Sequence, residues 1–297
     1  MIHAFTFPLL ATTLWGLNIV LLKALVGHMP AHEMNALRML IAGMAFVALW
    51  QGRGWRQLTW RDVAIIGAVG LIGGSIFQWL LLEGIRRVPA SAAAIVNGTS
   101  PAWVFLVGLL WVREKLGVMG RGGIALSILG VMLLGIGGGR EDELVAIGIA
   151  FMVLAMLAWA VYTVAAQRFV KAYPFRLWMG LGYLIGMTPY WLLNLPSLVQ
   201  GAPLSDIPPL VWLGVLASGI GTNFGARLAW IHGVRILGPT RTAVFHNLTP
   251  IVGVVAGFLL LHEVLPELAL LAGAIVIAGI AVTQWDRLAA HGRSGAA

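Results

Sequence analysis

The sequence has no cysteine and few charged residues. The absence of Cys among its 297 residues excludes disulfides, thiolate metal sites and cysteine nucleophiles. Charged residues make up 10% of the chain and hydrophobic residues 60%, whereas soluble domains have roughly 25% and 45–50%. This composition is typical of an integral membrane protein, and the length of the apolar runs favours a helical one.

Acidic residues are the scarcer charge, with 11 Asp and Glu against 19 Lys and Arg. The net charge of +8 would suggest nucleic acid only if the basic residues clustered on one face. They lie instead in short segments between apolar runs, which is the pattern of membrane topology signals. We therefore expect a lipid bilayer and no nucleic acid among the partners.

Apolar runs that approach the roughly 20 residues needed to cross a bilayer recur along the whole chain. Prolines and glycines lie in most of the segments between them. The predicted fold class is an all-α integral membrane protein with ten transmembrane helices. The predicted spans are 4–26, 33–51, 61–83, 90–112, 120–139, 145–167, 175–195, 208–231, 240–262 and 266–285.

The basic residues of the connecting segments predict the orientation. With the N-terminus inside, thirteen Lys and Arg lie in inner segments and only Arg86, Arg87 and Arg140 in outer ones. Basic residues accumulate on the cytoplasmic side of membrane proteins. We therefore expect a multi-pass protein of a bacterial-type inner (plasma) membrane with both termini in the cytoplasm.

The two halves of the chain repeat each other. A shift of 149 residues pairs residues of several kinds, including arginine, proline and glutamate: Arg86 with Arg235, Ala94 with Ala243, Pro101 with Pro250, and Glu114 with Glu263. A slightly different offset pairs Trp15 with Trp159. The predicted units are five-helix repeats over residues 1–139 and 140–297. Because five is an odd number, the second repeat enters the membrane from the opposite side and is inverted.

Two of the apolar runs contain a proline near their middle, Pro101 in the first half and Pro250 in the second. Proline removes a backbone donor and clashes with the preceding turn, so both helices are expected to loosen there. Inside a bilayer, only protein or a water-filled cavity can satisfy the freed carbonyls. Matching broken helices in two halves point to a transporter's binding site, and both prolines are candidates for gating.

Few polar residues lie within the predicted spans, and those near the two prolines are candidates for a cavity lining: Asn18, Gln78, Asn97, Ser100, His246 and Asn247. The aromatic candidates are Trp15, Trp79, Trp159 and Tyr162, since small-molecule sites are mostly apolar with a few placed polar groups. Taken singly, each residue is equally well explained by helix packing or a helix–helix hydrogen bond.

Apart from arginines at the first or second position of a span, three cations lie within the spans. Arg38 is the deepest of them and is a candidate partner for a substrate carboxylate. For Lys23 the sequence leaves two interpretations open, namely a cavity cation and a side chain that snorkels to the interface. Arg227 is interpreted as snorkelling to the inner interface.

Several short motifs occur in the order seen in one known family. They are Leu14-Trp15-Gly16-Leu17-Asn18 with Lys23, Asn35-Ala36-Leu37-Arg38, Glu83-Gly84-Ile85, Val88-Pro89-Ala90-Ser91-Ala92, Pro101 and Arg113-Glu114-Lys115-Leu116. Over nearly its whole length the chain resembles the EamA-type exporters of the drug/metabolite transporter superfamily. The resemblance implies ten helices in two inverted repeats, a central cavity, and export of amino acids, other metabolites or drugs. One departure is Phe77-Gln78-Trp79, where the family's third helix usually ends in more aromatics.

The predicted function is a secondary transporter that exports small organic solutes by alternating access, with hydrophobic or aromatic amino acids as substrates. An exchanger of sugar phosphates or nucleotide sugars is the alternative within the superfamily. An intramembrane enzyme or a receptor-like protein is the alternative of another class. No nucleophile elbow, zinc-protease or phosphate-loop motif occurs in the sequence. We therefore expect no enzymatic activity, cofactor or metal, and a protein that functions as a monomer.

Overall fold

The computed structural model describes residues 2–111, 117–134, 140–200, 207–237, 242, 245–246, 248–262 and 267–294. Within these ranges the ordered elements are helices, with no strand. The predicted all-helical class is confirmed. The predicted boundary at 139/140 borders the stretch 135–139, which lies outside the described residues, and it stays a prediction.

Helices of the first half follow one another through short connections. They are α1 (Ile2–Leu25), α2 (Ala31–Trp50), α3 (Trp60–Leu71), α4 (Phe77–Arg87), α5 (Ala90–Gly98), α6 (Ser100–Trp111) and α7 (Val118–Leu134). A π-helical stretch, Ile72–Ile76, joins α3 to α4 without a break. Thr59 begins α3 with a capping box, because its hydroxyl accepts from the backbone N–H of Asp62 while the Asp62 carboxylate accepts from the backbone N–H of Thr59.

Helices of the second half repeat this order. They are α8 (Arg140–Ala172), α9 (Phe175–Gln200), α10 (Pro209–Leu216), α11 (Arg227–Leu237), α12 (Leu248–Leu261) and α13 (Glu267–Ser294). A second π-helical stretch, Ala217–Ala226, joins α10 to α11. The halves therefore share a third segment in which a π-helical stretch lies between two α-helical parts.

Five helical segments of the described chain are long and apolar enough to cross a membrane: Phe5–Leu25, Ala31–Trp50, Trp60–Arg87, Glu143–Ala166 and Pro209–Gly233. Shorter apolar helices cover 92–108, 118–133, 248–261 and 270–279. Several helices extend beyond the predicted spans, such as Arg140–Ala172 against 145–167 and Glu267–Ser294 against 266–285. A hydropathy pattern detects only the apolar part of a helix, whereas the backbone hydrogen bonds continue into polar sequence.

Helices in matching positions of the two halves pack against each other. The second helix of each half, α2 and α9, forms one such pair. Near the start of α2, His32 Nδ1 lies 2.9 Å from the Tyr190 hydroxyl late in α9. At the other end, a Cβ on Gly180, early in α9, would lie 2.5 Å from Cβ of Trp50. The two helices are therefore antiparallel.

The fourth spans also pack against each other, through α5 in the first half and α12 in the second, and so do the fifth helices, α7 and α13. In both, earlier residues of one helix contact later residues of the other: Ala94 with Gly253, Gly98 with Pro250, Gly123 with Gly279, and Gly130 with Ala272. Three antiparallel pairs of matching helices are the arrangement that a two-fold axis perpendicular to the helices would produce. In a membrane such an axis lies in the bilayer plane.

Candidate functional site

Helical geometry is interrupted at three places in the middle of the bundle. Two are the π-helical stretches Ile72–Ile76 and Ala217–Ala226. The third is Thr99, which separates α5 from α6 two residues before Pro101. Both π-helical stretches are rich in glycine, and π-helical turns occur frequently at functional sites. In the second half Pro250 is buried in the first turn of α12, and a Cβ on Gly98 would lie 2.6 Å from its Cγ.

A cavity lies beside these interruptions. It is lined from both halves by Trp15, Asn18, Ile19, Leu22, Arg38, Phe77, Gln78, Leu81, Ile85, Asn97, Ser100, Met156, Trp159, Thr222, Asn223, Arg227 and His246. The centre of a water molecule can occupy about 60 Å³ of it. One water needs roughly 10–15 Å³ on that measure, so the cavity holds about four to six waters. This is the bulk of a small organic solute.

Aromatic rings form much of the cavity wall. The rings of Trp15 and Trp159 meet edge to face with centroids 6.0 Å apart, and Phe77 lies 5.3 Å from Trp159. His246 lies between two indoles, 5.5 Å from Trp15 and 5.3 Å from Trp230. The Nδ1 atom of this buried histidine has no hydrogen-bond partner in the described part of the chain. The wall therefore offers ring faces and edges together with one imidazole.

A hydrogen-bonded cluster joins α1 to the second π-helical stretch. The Ser218 hydroxyl donates a 2.5 Å hydrogen bond to Oδ1 of Asn18, and Thr222 Oγ1 lies 3.0 Å from the same oxygen. Asn223 Nδ2 donates to the Ser218 carbonyl at 3.2 Å. Buried polar groups are costly unless they are hydrogen-bonded. These bonds hold Asn18, Thr222 and Asn223 in place at the cavity surface.

Arg38, on α2, is buried in the cavity wall with 1% of its surface exposed. Among the described residues, its Nε and Nη1 atoms have no hydrogen-bond partner and it belongs to no ion pair. An unpaired buried charge is among the most unfavourable arrangements in a folded protein. The described residues therefore leave this guanidinium with unused donors beside a cavity.

Arg227, at the start of α11, is the second guanidinium of the cavity. Its Cζ lies 5.4 Å from the ring centroid of Trp159 and 5.7 Å from those of Tyr162 and Tyr183. A cation within about 6 Å of a ring centroid is attracted by the ring quadrupole. The prediction that Arg227 snorkels to the interface is wrong, since the side chain is 8% exposed and enclosed by rings.

The structure gathers most of the predicted site residues at one place. Those that line the cavity are Trp15, Asn18, Arg38, Gln78, Asn97, Ser100, Trp159 and His246. Tyr162 lies behind this wall, 5.4 Å from Trp159 and against Arg227, and it lines a smaller adjoining space. Asn247 lies outside the described residues.

Trp79 is not in the cavity wall, contrary to the prediction. Its ring is 44% exposed and lies against His32 and Phe151, with centroids 6.1 and 5.7 Å away. Successive residues of an α-helix are about 100° apart around its axis. Because Gln78 and Phe77 face the cavity, Trp79 is rotated to the outside of the bundle.

Thr222 and Arg227 were not among the predicted lining residues. The repeat offset contains a signal for one of them, because Arg227 is the equivalent of Gln78 under the 149-residue shift. The same shift relates Asn97 to His246. Three matched pairs therefore face one cavity: Gln78 with Arg227, Asn97 with His246, and Trp15 with Trp159.

Polar contacts tie helices together near the end of the cavity where α1 ends and α2 begins. The buried Glu83 carboxylate lies 2.5 Å from His32 Nε2 and 2.8 Å from Arg86 Nη1, and it also pairs with Arg87. Lys23 Nζ donates to the carbonyls of Ile85 and Val88 at 3.2 and 2.7 Å. Lys23 thus holds the end of α4 and is not in the cavity lining.

Similar proteins are transporters. The model of the EamA-like transporter family matches the chain twice, over residues 3–136 and 146–285. A probable terminal-alkyne amino-acid exporter of Streptantibioticus cattleyicolor is 28% identical over 82% of this chain and 80% of its own length. An uncharacterized transporter of Archaeoglobus fulgidus is 26% identical over 94% of this chain and 97% of its own. One solved crystal structure superposes with a TM-score of 0.65 at 22% identity, covering 94% and 96% of the two chains.

The two family matches together cover most of the chain. The resemblance to EamA-type members of the drug/metabolite transporter superfamily is confirmed. The apolar helices make the protein a multi-pass membrane protein, and the named relatives are transporters rather than enzymes. The chain therefore belongs to the EamA-like transporter family and is a membrane transporter with two copies of the family's repeat.

Proposed function

We propose that the protein is a secondary transporter that exports hydrophobic and aromatic amino acids through the cavity between its two halves. The observation that carries this proposal is the cavity wall, which combines aromatic rings with the buried Arg38 guanidinium. An aromatic side chain matches the first feature and a carboxylate matches the second. The relative from Streptantibioticus cattleyicolor, named as a probable amino-acid exporter, supports the same substrate class.

Alternating access is the proposed mechanism. The three antiparallel pairs of matching helices support two inverted repeats, residues 1–139 and 140–297, with five spans each and ten in all. Rocking of one inverted repeat against the other exposes a central site to each side in turn. In this mechanism Pro101, Pro250 and the two π-helical stretches are where the helices bend.

The proposed location is the inner membrane of a bacterial-type cell, with both termini in the cytoplasm. The excess of basic residues in the segments that share a side with the N-terminus supports this orientation. The cavity and its lining come from one chain, so we propose that a monomer suffices for transport.

A sugar-phosphate or nucleotide-sugar exchanger is the second candidate, and the presence of two guanidiniums in the cavity favours it. Two other features favour the amino-acid substrate. The space of about four to six waters is small for a nucleotide sugar. In addition, Arg227 already lies against three rings, whereas Arg38 is the cation of the described lining that has unpaired donors.

Efflux from proteoliposomes tests the proposal. Vesicles with the purified protein are expected to release labelled L-phenylalanine and L-leucine faster than protein-free vesicles, and labelled sugar phosphates no faster. One aromatic contact is worth roughly 0.5–1.5 kcal/mol, so Trp159→Phe is expected to change the phenylalanine-to-leucine rate ratio about two- to tenfold. Trp285→Phe is the matched control, because Trp285 is 71% exposed. Amino-acid efflux equal to that of empty vesicles would contradict the proposal.

A further inference from the structure

The charges in the cavity wall all have the same sign. Arg38 and Arg227 contribute two guanidiniums, and no Asp or Glu is among the described lining residues. The stretch 238–247, of which only part is among the described residues, contains no Asp or Glu in the sequence. His246 is the remaining titratable group of the lining. The described part of the wall therefore contains positive charge with no carboxylate beside it.

A positively charged site favours an anion. Guanidinium and carboxylate form paired, charge-assisted hydrogen bonds of matching geometry. Arg38 lines the cavity, and its Nε and Nη1 atoms have no hydrogen-bond partner among the described residues. A bound carboxylate would satisfy those donors and remove the cost of the unpaired charge.

The ammonium group of an amino acid has no carboxylate partner among the described residues of this cavity. A carboxylate, which would pair with the ammonium by charge, is absent from the described lining. The acceptors present there are neutral, among them the amide oxygens of Asn18, Gln78 and Asn97 and the faces of aromatic rings. Three ring faces that would suit a cation, those of Trp159, Tyr162 and Tyr183, already lie against Arg227. An ammonium bound beside them would meet like charge.

We propose that the cavity selects hydrophobic monocarboxylates by their carboxylate alone, with Arg38 as its partner, and that an α-ammonium group weakens binding. The 2-oxo acids that correspond to aromatic and branched-chain amino acids then belong to the substrate class and are preferred over the amino acids. This inference rests on the proposed function, because it concerns the substrate of the same cavity. It differs in that the cavity recognises the carboxylate of the substrate and not its ammonium group.

Three probes with the same benzyl body separate the two charged groups. Phenylpyruvate has a carboxylate and no amine, L-phenylalanine has both groups, and 2-phenylethylamine has only the amine. In proteoliposomes at neutral pH, labelled phenylpyruvate is expected to enter faster than into protein-free vesicles. Unlabelled L-phenylalanine is expected to compete at least about tenfold more weakly than phenylpyruvate, in line with hydrogen bonds to charged groups. Phenylethylamine is expected not to compete.

Variants of Arg38 assign the carboxylate to this residue. Arg38→Gln is expected to abolish phenylpyruvate transport, and Arg38→Lys to keep part of it, since lysine retains the charge but not the planar fork. Arg121→Gln is the matched control, because Arg121 is exposed on α7 and outside the cavity. If Arg38→Gln does not yield folded protein, the ranking of the three probes by the unmodified chain still decides the proposal.

The outcomes separate this inference from the proposed function. Transport of L-phenylalanine without transport or competition by phenylpyruvate would overturn the inference and leave the amino-acid exporter in place. Transport of phenylpyruvate without L-phenylalanine would support the inference and remove amino acids from the substrate class. Transport of neither compound would overturn both. Unchanged phenylpyruvate transport in Arg38→Gln would refute the role of Arg38.

Discussion

Trp15 and Trp159 meet edge to face with their ring centroids 6.0 Å apart. They occupy matching positions on the first helix of each half, and they approach each other in the cavity wall. Residues related by a two-fold axis meet only where the axis passes close to them. The pair therefore marks the part of the bundle where the two halves are joined, and the cavity lies there.

Orientation in the membrane is the first prediction. If the N-terminus is cytoplasmic, Gln57, in the segment between α2 and α3, faces the cytoplasm, and Gly27, between α1 and α2, faces outward. The chain has no cysteine, so Gln57→Cys and Gly27→Cys each introduce a single thiol. Gln57 is exposed, and a Cβ on Gly27 would meet no atom within 4 Å.

An impermeant thiol reagent applied to intact cells is expected to label Gly27→Cys and to leave Gln57→Cys unlabelled until the membrane is opened. The reverse pattern would mean that the chain is inserted the other way round, in conflict with the distribution of its basic residues.

Close contact between α3 and α9 is the second prediction. Gly70 lies against the backbone of Gly182 and Gly186, and a Cβ at Gly70 would collide with the Gly182 carbonyl oxygen. Small residues allow such close approach of membrane helices. Because a backbone atom cannot yield as a side chain does, Gly70→Ala is expected to destabilise the protein by about 1–3 kcal/mol.

Gly122→Ala is the matched control, since a Cβ there would meet no atom within 4 Å and alanine favours the helix. Thermal unfolding of both variants in detergent gives the comparison. An equal effect of the two substitutions would show that α3 and α9 are not packed at Gly70.

The third prediction is that the binding site lowers the stability of the ligand-free protein, and Arg38→Met tests it. The Nε and Nη1 atoms of Arg38 are buried without partners among the described residues, and an unsatisfied buried donor costs roughly 1–3 kcal/mol. Arg38→Met is therefore expected to raise the free energy of unfolding of the ligand-free protein while abolishing transport. Functional sites commonly carry such a loss of stability.

Unfolding temperatures in detergent, with Arg121→Met as the exposed control, provide the measurement. Exposed substitutions of this kind stay within about 0.5 kcal/mol. A lower unfolding temperature for Arg38→Met would indicate that the guanidinium stabilises the fold, and a structural role would then replace the proposed one.

The sequence carried most of the information about which helices exist and less about which way their side chains face. Apolar runs and a single repeat offset suffice for the two-repeat membrane fold, because both are properties of the order of residues. The direction of Trp79 was missed because α4 is apolar on more than one side, so that hydropathy does not distinguish lipid from cavity. The π-helical stretches were also missed, since a glycine-rich segment reads equally well as a packing surface.

Sensitivity to membrane potential is the last prediction, and it follows from the charge of the substrate. A monocarboxylate carries one negative charge, and neither Asp nor Glu is among the described cavity residues to carry a compensating proton. Each transport event then moves one negative charge across the membrane. An inside-negative potential of 100 mV is worth about 2.3 kcal/mol per charge. Without a coupling ion, this potential would sustain a substrate concentration roughly fifty-fold higher outside than inside.

Proteoliposomes with a potassium gradient and valinomycin allow the potential to be set in either direction. Efflux of labelled phenylpyruvate is expected to accelerate when the interior is negative and to slow when it is positive, whereas phenylalanine, a zwitterion, is expected to be insensitive. If phenylpyruvate efflux ignores the potential and follows an imposed pH gradient instead, a proton accompanies the anion. His246 would then be the residue to replace, since it is the titratable imidazole in the cavity wall.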